Sequence, residues 1–117
     1  MKIHEYQAKE LLARYGIPVQ RGAVAFKPRE VRRLAEKMAL KEIVLKAQVH
    51  AGGRGKAGGI KLLHSPAEAE YAAAKMFGMR LVTPQTGAEG KIVRRILVTE
   101  AAEISRELYA GIVLDRA

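Results

Sequence analysis

The 117-residue sequence has no cysteine, no tryptophan and no asparagine, and its only aspartate is Asp115. Without cysteine there is no disulfide, no thiol nucleophile and no zinc–thiolate centre. That absence fits a cytoplasmic enzyme. No run of 18 apolar residues occurs, so a transmembrane helix is excluded and no membrane partner is expected. The opening Met1-Lys2-Ile3-His4-Glu5 lacks the apolar core of a secretory signal. Loss of thermolabile residues, with arginine slightly exceeding lysine, is a trait of thermophile proteins.

What is present is a 49% apolar chain, enough for one small domain with a real core. The net charge is +9 and the pI about 10.1. A basic excess points to an anionic partner, either nucleotide, nucleic acid or acidic protein. It is equally what a piece of a larger, more balanced chain would carry. The charges are spread, with no block of five or more, as on solvated faces.

Periodicity predicts a helix over residues 4–15, with Ala8, Leu11, Leu12 and Tyr15 on one stripe and Gly16 just past its end. A short strand is expected at 22–26. A second helix opens at Pro28 and buries Val31, Leu34, Ala35 and Met38. Strands are expected at 42–49 and 60–63. Ser65-Pro66-Ala67-Glu68 reads as a capping box starting a third helix, which buries Ala69, Ala72, Ala73 and Met76. Residues 78–91 read as loop, and 94–99 and 107–115 as two further strands. Six aromatics, Tyr6, Tyr15, Phe26, Tyr71, Phe77 and Tyr109, are expected in the core.

Between the strands at 42–49 and 60–63 lies the most specific chemistry. Residues 46–59 read Lys46-Ala47-Gln48-Val49-His50-Ala51-Gly52-Gly53-Arg54-Gly55-Lys56-Ala57-Gly58-Gly59, five glycines and three cations in fourteen positions. Glycines allow close backbone approach to a ligand, successive N–H groups can cradle an anion, and cations add charge for phosphate. Gly53-x-Gly55-x-x-Gly58 matches a dinucleotide fingerprint. That reading needs a helix directly after the loop, and here a strand follows. A Walker A loop is excluded because Gly55-Lys56 is followed by Ala57, with no hydroxyl for a metal. Strand–glycine loop–strand is instead how a flap covers nucleotide phosphates. Lys46 interrupts the apolar Ile43-Val44-Leu45 just before the loop. It either meets phosphate or snorkels to solvent from a strand end.

Longer motifs then become recognisable. The opening His4-Glu5-Tyr6-Gln7-Ala8-Lys9, the whole run 46–59, Leu81-Val82-Thr83-x-Gln85-Thr86, Ile96-Leu97-Val98-x-Glu100 and Glu107-Leu108-Tyr109-x-Gly111 resemble the beta subunit of ADP-forming succinate–CoA ligases (succinyl-CoA synthetases). The resemblance runs along essentially the whole chain in order. It implies an α/β (α+β) ATP-grasp fold, of which residues 1–117 would be the N-terminal subdomain, with the glycine-rich phosphate loop between two strands. It implies reversible formation of succinyl-CoA from succinate and CoA with conversion of ATP to ADP and phosphate, a step of the tricarboxylic acid cycle. A separate alpha subunit, the phosphohistidine carrier, would be the partner. Carried over by position, Lys46 would meet the phosphates, and Gly53, Arg54 and Gly55 would form the loop over them. Thr99, Glu100 and Ala102 would lie in the hinge reading the base, largely through backbone groups, and Glu107 would complete the pocket. At Thr99 the family often has an acidic residue. Gln20 lies in the region associated with choice between ATP and GTP. The Mg²⁺ ligands and the parts facing CoA and succinate would fall outside these residues, so the chain is expected to stop before the metal-binding half and to be inactive alone.

His4, His50 and His64 make no i,i+4 pair, and no metal site is expected from them. Arg32-Arg33 and Arg94-Arg95 are expected on solvated faces. A malate–CoA ligase would share these motifs. A basic nucleic-acid-binding module would account for the charge but not for Lys46 and the loop, and the chain lacks aromatics beside its basic residues. A non-catalytic interaction piece is the third reading.

Overall fold

A computed structural model describes residues 1–116. Its elements in chain order are helix α1 (Glu5–Arg14), strand β1 (Gly22–Ala25), helix α2 (Pro28–Lys37), strands β2 (Ile43–Ala47) and β3 (Ile60–Leu63), helix α3 (Pro66–Met76), and strands β4 (Arg80–Leu81), β5 (Lys91–Ile92) and β6 (Ile96–Glu100). Strands β1, β6, β2 and β3 lie side by side in that order, every neighbour antiparallel, while β4 and β5 form a separate two-residue ladder.

Local chemistry sets the ends of these helices. Ser65 Oγ accepts from the Glu68 N–H at 3.1 Å, and Glu68 reaches back to the His64 N–H at 3.1 Å, one residue further than a standard capping box. Glu30 does the same at α2, accepting from the Phe26 N–H at 2.7 Å, with Pro28 opening the helix. Gly16 follows α1 with a φ of 75°, its N–H donating to the Ala13 carbonyl.

Strand alternation sorts the sheet into two faces. Ile43, Leu45 and Ala47 of β2 and Ile96 and Val98 of β6 are fully buried against Val31 and Ala35 of α2 and Ala69, Ala73 and Met76 of α3. The register places Lys46 opposite Leu97 on one side and Ile60 on the other, and Val44 between Thr99 and Leu62. These residues therefore share the opposite face with Val24 and Gly22 of β1. Helix α1 covers part of it: Tyr6, Lys9 and Ala13 enclose, with Val24, Leu97 and Thr99, a cavity of about 310 Å³. Beyond α1 this face is open, and Ile60 and Leu62 are exposed.

Three expectations are corrected. Residues 107–115 form no strand. Leu108, Tyr109, Ile112, Val113 and Leu114 are exposed, because a β-like pattern needs a ladder partner and none of the four sheet strands provides one. The loop over 78–91 carries β4 and the start of β5. Of the six aromatics, Tyr15, Phe26, Tyr71 and Tyr109 are exposed, and only Phe77 packs against the core from its rim. The apolar stripe of α1 is likewise unburied: Leu11 and Leu12 remain exposed and no residue of the helix is fully buried. Among the described residues no helix is long and apolar enough to cross a membrane.

Candidate functional site

The loop from Gln48 to Gly59 leaves β2 and returns as β3 on the same edge of the sheet. Its base is closed by the Ala47 N–H donating to Gly59 O at 2.8 Å and the Gly59 N–H donating to Arg54 O at 2.7 Å. Gly53 has a φ of 77°, a left-handed conformation that side chains adopt only with strain. The start of the loop is tied down from outside, where the Gly52 N–H donates to Gln85 Oε1 at 2.7 Å. Gln85 sits on a tight turn with buried Thr83 and Thr86, whose hydroxyls accept from the Gln85 and Thr83 N–H groups at 3.1 and 2.9 Å. An open cavity of about 540 Å³ borders Gly53, Arg54, Gly55, Lys56, Ile60 and Pro84.

The cations of strand and loop converge. Lys46 Nζ lies 3.0 Å from Glu5 Oε1, and Arg54 Nη2 lies 2.6 Å from Glu5 Oε2. Lys9 Nζ approaches Oε1 at 3.3 Å. Arg54 Nη1 also donates to the Ala47 carbonyl at 2.8 Å, fixing the guanidinium at two nitrogens. Three cations around one carboxylate leave the cluster with a charge of +2. Burial alone would raise the Glu5 carboxyl, but the hydrogen bonds from Arg54 and Lys46, with their charges, outweigh it and bring it down to about 2. Glu5 is therefore ionised throughout the physiological range.

Two further contacts seat this end of α1. Gln48, buried at the end of β2, accepts from the Tyr6 N–H at 3.1 Å while its own amide donates to Lys46 O at 3.1 Å. The imidazoles of His4 and His50 stack at 3.9 Å with 15° between planes. His4 is held below its ordinary range by burial first, then by its electrostatic interactions with His50, Arg95 and Arg54.

The predicted site residues therefore separate into groups. Lys46, Gly53, Arg54 and Gly55 are together. Thr99 shares the Lys46 face one strand over, buried, its hydroxyl donating to Glu100 O at 2.6 Å. Glu100 is turned to Arg21: its Oε2 meets the Arg21 Nε at 2.9 Å and its Oε1 accepts from the Arg21 N–H at 3.0 Å. Those contacts hold its carboxyl below the usual range, the backbone N–H foremost. Ala102 and Glu107 lie beyond β6 in exposed chain outside any regular element. Glu5, Gln48 and Gln85 are the residues that sequence reasoning did not assign. Glu5 and Gln85 stood in recognisable motifs, but nothing in spacing alone joins positions 5 and 54. Among the described residues no group of three or more His, Asp or Glu side chains is placed to hold a metal ion.

A flap of two antiparallel strands, carrying its own cations over an open sheet face, is a feature of enzymes that clasp a nucleotide between two lobes. The family comparison agrees: the ATP-grasp domain model matches residues 2–117, and the chain belongs to the ATP-grasp family. Among curated relatives, the succinate–CoA ligase [ADP-forming] subunit beta of Geobacter sulfurreducens is 59% identical over 117 residues, and that of Nautilia profundicola 57%. Each match covers 100% of this chain and 30% of the relative, so the chain spans under a third of their length. Among solved structures, a dinucleotide-forming acetyl-coenzyme A synthetase of Ca. Korarchaeum cryptofilum superposes with a TM-score of 0.66 at 25% identity. The match covers 88% of this chain and 42% of that one, which was solved with coenzyme A, acetyl-coenzyme A and a phosphorylated phosphohistidine segment. Phosphoribosylamine–glycine ligase of Thermotoga maritima shares the fold, with a TM-score of 0.59 over 86% of this chain and 22% of its own.

Proposed function

We propose that this chain is the N-terminal, nucleotide-binding part of a succinate–CoA ligase (ADP-forming) beta subunit. The subunit would turn ATP, succinate and CoA into succinyl-CoA, ADP and phosphate together with an alpha partner that carries the phosphoryl group on a histidine. What carries the reading is the convergence of Lys46 and Arg54, from strand and glycine loop, at one +2 cluster beside the open sheet face. Their recorded bonds use one of three ammonium protons on Lys46 and two of five guanidinium protons on Arg54, so donors remain for phosphate oxygens. Gly53 and Gly55 let the loop backbone lie against those oxygens. The apolar residues Val44, Ile60 and Leu62, on the open part of this face beside Lys46, offer a bed for the nucleoside. With Glu100 committed to Arg21, a base bound along residues 99–102 would be read by backbone groups, and Glu107 would close the pocket from its exposed segment. The similarity to succinate–CoA ligase beta subunits supports the acid and the partner, and the phosphohistidine segment of the solved neighbour supports the partner. Mg²⁺ would be held by residues outside these 117, and the enzyme would work in the cytoplasm.

Calorimetric titration with Mg-ATP and Mg-GTP tests this reading. Saturable binding is expected, weakened about 10- to 100-fold by Lys46→Ala, the loss of one charge-assisted phosphate contact. The better purine fixes the nucleotide. Equal affinity in the variant defeats the assignment. Binding of polynucleotide that falls steeply with salt would favour the nucleic-acid reading in its place.

A further inference from the structure

We propose that Glu5 is a positioning residue for nucleotide binding: its carboxylate, delivered by the first turn of α1, sets the spacing at which the Lys46 ammonium and the Arg54 guanidinium meet the phosphates. This rests on the reading of those two cations given above and adds a residue from a different element to it.

Each carboxylate oxygen of Glu5 serves a different cation, Oε1 taking Lys46 at 3.0 Å and Oε2 taking Arg54 at 2.6 Å. One planar group thereby fixes the distance between two side chains that come from separate pieces of backbone. Lys46 stands on a strand and needs little help. Arg54 stands between Gly53 and Gly55 in a loop outside helix or strand, where an untethered guanidinium would sample many rotamers. Ordering such a side chain at the moment of binding opposes affinity, and an anchor that orders it beforehand removes that cost. The bond from Nη1 to Ala47 O holds one edge of the guanidinium, and Glu5 holds the other.

The way α1 is attached supports the same conclusion. No residue of the helix is fully buried, so it is not placed for the sake of the core. Its first turn is seated by polar contacts that all end at the loop side of β2. Tyr6 N–H donates to Gln48, Gln48 returns a bond to Lys46 O, and His4 stacks on His50. Further along the helix, Lys9 Nζ donates to Gln20 Oε1 at 3.2 Å and also faces Glu5. These contacts give Glu5 a fixed place beneath the two cations while leaving their other protons available. A competitor for phosphate would occupy those donors; Glu5 takes one from each cation.

The test is ligand binding by the intact protein, with Glu5→Gln, Glu5→Asp and Lys46→Ala beside wild type and the fold of each checked by circular dichroism. The probes are magnesium with inorganic triphosphate, which has no base, and adenosine, which has no phosphate. Glu5→Gln is expected to weaken triphosphate binding about tenfold, comparable to losing one charged contact, with adenosine unaffected. Glu5→Asp should fall between Glu5→Gln and wild type, because it keeps the charge but shortens the reach. Triphosphate affinity that is unchanged or tighter in Glu5→Gln, with Lys46→Ala weakened, overturns the positioning role and leaves the phosphate site standing. Equal losses for triphosphate and adenosine show a merely structural residue and also overturn it. Unchanged binding in Lys46→Ala removes the underlying reading, and the proposal with it.

Discussion

Arg21 and Glu100 join β1 to β6 through backbone and side chain at once. The Glu100 N–H donates to Arg21 O at 3.0 Å, while the Glu100 carboxylate takes both the Arg21 N–H, at 3.0 Å, and its guanidinium Nε, at 2.9 Å. The guanidinium also donates to Met38 O at 3.1 Å, which ties the end of α2 to the same corner. Arg21→Ala is therefore expected to lower Tm at low ionic strength. The gap to wild type should narrow in 1 M salt, because exposed charges are screened there. Thermal scans at two salt concentrations check this; a gap independent of salt would assign the whole effect to the Met38 bond.

The acid limb of stability should carry the mark of Glu5. Its carboxyl is depressed from 4.5 to about 2 in the folded chain, so the contribution is complete above pH 4.5 and is lost as pH falls from there towards 2. At about 1.4 kcal/mol per unit, reduced for its contact with solvent, the contribution at neutral pH is on the order of 2 to 3 kcal/mol. Urea unfolding between pH 7 and pH 3 should show the decline in wild type and a flatter profile in Glu5→Gln.

The two faces of the sheet should respond unequally to truncation. Leu45 is fully buried between the sheet and the helices, whereas Leu62 is 53% exposed on the open face. Leu45→Ala is expected to cost about 2 to 5 kcal/mol through lost transfer energy and a residual cavity. For Leu62→Ala the cost should be below about 1 kcal/mol, a fraction of full side-chain burial. Chemical denaturation of both variants measures the contrast, and equal losses would mean the second face is covered in solution.

Gly59 is a test of how tightly the loop base is closed. A Cβ there would stand 3.1 Å from both Arg54 O and Leu81 Cδ1. Gly59→Ala should therefore destabilise by about 1 to 3 kcal/mol, the range for overpacking. On the proposed assignment it should also weaken Mg-ATP binding, since the displaced carbonyl belongs to Arg54, whose guanidinium is proposed to meet phosphate. A variant with wild-type melting and binding would show that the loop base yields freely.

The exposed apolar run at 108–114 predicts self-association of the chain by itself. Ile112 is 102% and Val113 90% exposed, and such residues favour burial against another surface. Sedimentation should show association that a Val113→Lys substitution reduces; a monodisperse wild-type monomer would contradict it.

Elements whose signals were local were legible in the sequence. The Ser65 and Pro28 starts, the Gly16 stop and the buried Val31, Ala35, Ala69, Ala73 and Met76 follow from caps and 3.6-residue periodicity, and the structure has them. The strand–glycine loop–strand flap was legible for the same reason. What depended on distant partners was not. The pattern at 107–115 is that of a strand, yet no ladder exists for it, and the stripe of α1 is that of a buried helix, yet the helix is held by hydrogen bonds. The two-residue ladder of β4 and β5 is too short to leave a periodic signal. Glu5 lies 41 and 49 positions from its two partners, a pairing that only the fold creates. Lys46 admitted two sequence readings, phosphate or solvent. The structure gives it a carboxylate as immediate partner, which neither reading foresaw.

The alternation along β2 has one more outcome, and it concerns folding fidelity. Lys46 stands between Leu45 and Ala47, both fully buried on the other side of the sheet. A slip of one position against β6 or β3 would turn its ammonium into the dry layer beneath α2 and α3, where an unpaired charge costs several kcal/mol. The lysine proposed to meet an anion thus penalises every odd-numbered slip of the central strand. A substitution such as Lys46→Leu would remove that penalty along with the charge, leaving a strand of unbroken apolar residues with two interchangeable sides.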